Sequence, residues 1–126
     1  MPMRPLPLAL LLCALTATAP AHAIDRSRVT DPRPLMFAAL DAPTGTAYGI
    51  LVGESADAIA RRFQSASPIY IDVTTLRRYR QAGCSRLNVT IWQEGVILPG
   101  AAAPKKQAID IGINYCRDGL PPKSLL

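Results

Sequence analysis

Two cysteines, Cys84 and Cys116, and one dense basic run, Arg77-Arg78-Tyr79-Arg80, carry the chemistry that stands out in this sequence. A cysteine can serve as a nucleophile, a metal ligand, a redox sensor or half of a disulfide. A nucleophilic thiol or hydroxyl needs a base at its side, most often histidine. The 126-residue chain has one histidine, His22, and it lies in a stretch that reads as a removable leader. Without it no Ser-His or Cys-His couple and no imidazole metal site can be built, and acid–base work falls to Asp, Glu, Lys or Tyr. Asp72, Asp110 and Asp118 are scattered along the chain, whereas glycosidase-type chemistry needs two facing carboxylates. The sequence therefore predicts no catalytic residues, no cofactor and no metal, and the chain is not expected to be an enzyme.

The leader is MPMRPLPLALLLCALTATAPAHA, residues 1–23. Arg4 gives a positive start, Leu8 to Leu15 an apolar stretch, and Ala21-His22-Ala23 the small residues of a cleavage site. The apolar stretch is too short to span a bilayer, which takes about 20 residues. Leu12 before Cys13 argues against a lipoprotein site. Removing 23 of the 126 residues leaves 103, enough for one domain. Loss of Arg4 leaves 13 Lys and Arg against 9 Asp and Glu, a net charge of +4. Two cysteines remaining in an exported chain read as a disulfide.

That pairing can be checked against the elements that must hold it. Leu87, Val89 and Ile91 alternate with polar residues after Cys84, and Ile109, Ile111 and Ile113 alternate before Cys116. Both are half-buried strands by their period of two. If they form an antiparallel hairpin with Cys84 facing Cys116, Leu87 faces Ile113, Val89 faces Ile111 and Ile91 faces Ile109. All six apolar residues then share one face, which a slip by one residue would expose. The disulfide falls on the other face, with Arg86, Asn114 and Trp92. Trp92 there either covers the strand end or is an exposed anchor for a partner.

Upstream, 24–34 is charged, proline-bearing and aperiodic, and reads as a flexible arm before a single domain, 35–126. LMFAAL, 35–40, and TAYGILVG, 46–53, read as strands joined by the turn residues 41–45. Ser55 reads as the N-cap of a helix over ESADAIARRF, with Ala56, Ile59 and Phe63 on one buried face. SPIYIDVTTLRRYRQ, 67–81, alternates through Ile69, Ile71 and Val73. Its second half suits either a strand or a helical turn capped by Asp72, and Thr74, Thr75 and Tyr79 favour the strand. The fold class that follows is α+β, a small mainly antiparallel sheet of about five strands with one helix and one disulfide.

Candidate binding residues are Arg77, Arg78 and Arg80 with Arg86 nearby, which suit an acidic protein or an anionic lipid surface. Nucleic acid is not expected of an exported protein. A solvated edge strand is the plainer account of the same charges. Val96-Ile97-Leu98 places three apolar residues in a predicted loop, where they either fold back over the sheet or bind. Asp118, in Cys116-Arg117-Asp118-Gly119, could accept backbone N–H groups of a turn or pair with Arg117 or Arg86. Asn88-Val89-Thr90 matches a glycosylation acceptor but lies mid-strand.

The segments SPIYIDVTTLRRYRQAGCSRLNV and INYCRDGLPPKSL resemble small exported proteins encoded beside bacterial conjugation (type IV secretion) genes. The likeness covers about half of the mature chain. It rests on Gly83-Cys84, Arg86-Leu87, Cys116-Arg117-Asp118-Gly119 and Pro121-Pro122. It implies a non-enzymatic periplasmic accessory of a cell-envelope transfer apparatus, with envelope proteins as partners. A small secreted enzyme or a ligand- or inhibitor-binding module is the alternative.

Overall fold

The computed structural model describes residues 1–5, 16–18 and 24–126. The apolar run 8–15 and the motif Ala21-His22-Ala23 lie outside the described residues. Seven elements follow in order: β1 (Ser27–Val29), α1 (Arg33–Asp41), β2 (Thr46–Leu51), α2 (Glu54–Phe63), β3 (Ile69–Arg78), β4 (Cys84–Val96) and β5 (Lys105–Cys116). The strands form one sheet in chain order, with β1 parallel to β2 and every later neighbour antiparallel.

The segment 35–40, expected as a strand, is the helix α1. A six-residue apolar run has no period long enough to separate the two. Its flanks decide: Asp31 accepts the Arg33 N–H at 2.9 Å, and a proline occupies the first turn. Leu35, Met36, Ala39 and Leu40 are buried, while Phe37 and Ala38 between them are exposed, the spacing of a helix. The aperiodic segment 24–34, expected as a flexible arm, carries β1 and the start of α1. A βαβ unit thus replaces the expected hairpin of 35–40 with 46–53. The sheet keeps five strands because β1 takes the place of the strand that became a helix, and the described residues hold two helices instead of one.

α1 packs on one face of the sheet against Ile71, Val73, Leu87 and Val89, with Val29 closing its end. Gly49 permits the approach, because a Cβ there would stand 2.6 Å from Leu35 Cδ1. The same face carries Ala47, Leu51, Ile91 and Ile113 at the margins. α1 reaches β5 at Tyr115, whose ring meets Phe37 edge to face at 5.5 Å.

α2 lies where ESADAIARRF places it, but Ser55 is not its cap. Gly53, at φ 93°, holds that position, and its carbonyl accepts the Asp57 N–H. None of the residues of α2 is fully buried.

The hairpin of β4 and β5 keeps the expected register. Cys84 faces Cys116, Leu87 faces Ile113, Val89 faces Ile111 and Ile91 faces Ile109. Cys84 and Cys116 form the disulfide, with Cα atoms 4.1 Å apart. It closes a loop worth about 3–4 kcal/mol in chain entropy. β3 stays extended to Arg78, with a bulge between Thr75 and Arg77. β4 and β5 run further into the predicted loop than expected, to Val96 and from Lys105.

Candidate interaction surface

The sheet has two edges, and β5 is the longer. Arg117 N donates to Gly83 O at 2.9 Å, so odd-numbered residues of β5 turn their backbone groups toward β4. The N–H and C=O groups of Lys106, Ala108, Asp110 and Gly112 then point to the free edge. On the α1 side of this edge Ile109 and Ile111 remain 59% and 46% exposed. Both sit on the apolar face that the alternation marks for burial, but α1 does not extend over them.

Beside Ile109 an apolar groove of about 290 Å³ opens between α2 and the sheet. Ile59 and Phe63 of α2 form one wall, Ile69 and Ile91 the floor, and Val96, Leu98 and Ile109 the other wall. The helical pair Ile59 and Phe63, four residues apart, thus lines an open groove instead of a closed core. The chain after β4 is tied to the end of α2 by Ile97 N donating to Phe63 O at 3.0 Å, and the end of β4 to the segment after α2 by Ser65 Oγ donating to Glu94 O at 2.6 Å. Gln93, buried beneath, donates to Ser67 O at 2.9 Å. Val96, Ile97 and Leu98 therefore divide: Val96 is buried in β4, Ile97 is half-buried, and Leu98 stays 40% exposed on the groove rim.

Among the described residues no helix covers the opposite face of the sheet. Arg26, just before β1, donates to Asp72 Oδ1 at 2.7 Å and to Gly49 O at 3.1 Å. Its guanidinium lies 4.5 Å from the Tyr70 ring centre, and Tyr70 stacks on Trp92 at 4.3 Å. Trp92 Nε1 donates to Asp72 Oδ2 at 2.9 Å, so the tryptophan is part of a packed cluster. Lys106 Nζ stands 4.3 Å above the Trp92 ring. Nothing in the sequence period marked Arg26, because its partners come from β2, β3 and β4.

The bulge between Thr75 and Arg77 precedes the basic run, and strand alternation sends Arg77 and Arg78 to opposite faces. Arg77, opposite Arg86, and Arg86 itself face the open side, where Arg86 donates to Asn114 Oδ1 at 3.2 Å. Arg78 turns to the other side and donates to Leu40 O and Ala42 O, satisfying carbonyls at the C-terminal end of α1. Arg80 has an exposed side chain, and its backbone N–H reaches Leu126 O at 2.8 Å. β3, which carries Arg77 and Arg78, is the central strand of the sheet, so an edge strand blunted by charge does not describe them.

The carboxylates are less scattered than their numbers suggest. Asp72, Thr90 and Asp110 stand in one row across β3, β4 and β5. Each acid is already engaged, Asp72 by Arg26 and Trp92, Asp110 by Thr90 and Asn88. The hydrogen bond from Thr90, then that from Asn88, holds the Asp110 carboxyl below the usual carboxylate range. A carboxyl so stabilised as an anion is a poor general acid. Asp118 accepts the Leu120 N–H at 2.9 Å, while Arg117 pairs with Asp41 instead of Asp118. Among the described residues, no group of three His, Cys, Asp or Glu side chains could hold a metal. No helix among them is long and apolar enough to cross a membrane.

Comparison of the chain with protein-family models, with curated proteins and with solved structures finds no match.

Proposed function

We propose that this is an exported, non-enzymatic interaction protein of the bacterial cell envelope that receives an extended protein segment along β5. The observation that carries the reading is the long free edge with Ile109 and Ile111 exposed beside an apolar groove. Strand addition draws affinity from backbone hydrogen bonds and specificity from pockets for alternate side chains. β5 offers the first, and the groove between α2 and Leu98 offers the second. The disulfide fits an oxidising compartment. The likeness of 67–89 and 113–125 to proteins encoded with conjugation genes favours a transfer apparatus as the setting.

Photo-crosslinking in cells tests the surface. A photoreactive residue at Ile109 or Ile111 should yield adducts with an envelope protein, whereas one at Thr74, on the open face, should not. Adducts from Thr74 alone would move the site to the Arg26–Trp92 face. Fractionation should recover the protein, shortened by its leader, from the periplasm; recovery of the uncut chain from the cytoplasm would remove the export reading.

A further inference from the structure

We propose that the segment received by β5 is β5 of a second copy of this chain, the two strands pairing antiparallel about Ala108. The inference rests on the docking role given above to this edge, and it names the occupant. Three properties of β5 argue for it. Among the described residues the edge is unpaired over Lys105–Cys116, whereas the opposite edge, Ser27–Val29, is too short to act as a template.

The second property is charge. β5 carries three charged side chains: Lys105, Lys106 and Asp110. Pairing that keeps both helical layers on one side of the joined sheet must match even residues with even. Within that rule one register alone sets opposite charges directly across from each other, the one centred on Ala108. Lys106 of each copy then faces Asp110 of the other, and the two-fold axis makes the contact twice. Registers centred on Lys106 or on Asp110 set like charges opposite instead, which is unfavourable at this spacing. Both hydrogen bonds that Asp110 accepts go to Oδ1, and among the described residues no donor reaches Oδ2. Lys106 lies on the same face, above Trp92.

The third property is the backbone and the apolar side. The even residues at the centre of this register point their N–H and C=O groups outward, so Ala108 with Ala108 and Lys106 with Asp110 are hydrogen-bonded pairs. On the α1 side Ile109 faces Gln107 of the other copy and lies diagonal to the other Ile109, within reach across a strand pair. Ile111 lies beside the aliphatic stem of Lys105. One strand with two isoleucines is a smaller contact than the roughly 1,600 Å² of a standard complex, so the dissociation constant should fall in roughly the micromolar range.

Sedimentation equilibrium of the leader-free, oxidised protein, from about 1 to 500 μM, reads the outcome. Wild type should move from monomer to twice the monomer mass. Asp110→Lys should weaken the dimer about tenfold or more, as should Lys106→Asp. The double exchange Lys106→Asp/Asp110→Lys should restore it. Circular dichroism checks that each variant is folded, and two independent single variants guard against one that is not. Amide exchange at Ala108 should slow as protein concentration rises. A wild type that stays monomeric throughout overturns the proposal, as does a dimer indifferent to both single changes or not restored by the exchange. Should wild type be monomeric while Ile111 still crosslinks an envelope protein, the second copy is ruled out as occupant and the docking role of β5 stands. Should neither occur, both fall.

Discussion

The two edges of the sheet are treated in opposite ways. β1 is three residues long, parallel to its neighbour and followed at once by α1. Arg26 fastens it, with bonds to Gly49 O and Asp72 and a stack on Tyr70. Such an edge gives an approaching strand little to pair with. β5 is twelve residues long, antiparallel and alternating in isoleucine, and it is fastened to β4 by the disulfide at one end only. Folded proteins usually blunt both edges with charge, proline, bulges or short strands. Here one edge is blunted and the other keeps an ordered row of donors and acceptors with apolar side chains beside it. Exposure of Ile109 and Ile111 follows from where α1 ends, because the strand itself has the alternation of a buried one.

Covered and open parts of the sheet meet within one facing pair. Val89 and Ile111 face each other in β4 and β5, yet Val89 is 3% exposed and Ile111 46%. Val89→Asp should cost more than about 4 kcal/mol and abolish the folding transition, because an unpaired charge enters the core. Ile111→Asp should cost less than about 1 kcal/mol by thermal melting. Measured below the concentration at which two copies pair, similar losses for the two would mean that β5 is covered within the monomer.

Next in size is the fastening of β5. Cys84→Ala with Cys116→Ala should lower stability by about 3–4 kcal/mol in urea titration. The added exchange should concentrate in β5, leaving β1 and β2 protected. Arg26→Ala tests the other fastening. It removes two partly buried hydrogen bonds and an aromatic stack and leaves Asp72 short of its cation, and should cost about 1–3 kcal/mol. Amides of β1 should then exchange faster while those of β5 do not.

The smallest effect is that of acid. Asp110 is held below its ordinary pKa by Thr90 and Asn88, and Asp31 by hydrogen bonds from Arg33. A folded-state value below the unfolded one stabilises the protein fully above the ordinary carboxylate range, about pH 4, and the gain is lost as pH falls through the lowered value. Melting temperature should therefore decline from pH 5 toward pH 2. Asp110→Asn should flatten the part of that slope belonging to the β5 edge, and Asp31→Asn the part belonging to the start of α1. An unchanged slope in Asp110→Asn would show that its bonds to Thr90 and Asn88 do not persist in solution.

The C-terminal meander is legible in the residues alone. Its residues alternate with period two, its neighbours in the chain are neighbours in the sheet, and the register that joins Cys84 to Cys116 also gathers Leu87, Val89, Ile91, Ile109, Ile111 and Ile113 on one face. Local pattern and long-range pairing agree there, so reading one gives the other. In the N-terminal part they do not. LMFAAL is too short to carry a period, and β1 pairs with β2 across the whole of α1, a connection that no local signal announces. Asp31 and Pro34 before that run were the legible signs of a helix. Tertiary structure alone decided which apolar residues would be covered. Burial depends on how far α1 and α2 extend over the sheet, and Ile109 falls beyond α1 and beside the groove while Val89 falls beneath the helix. It alone also decided that Arg78 would serve the end of α1 and that Arg26 would lock an edge, since the carbonyls and rings that hold them come from strands and helices far away in the chain.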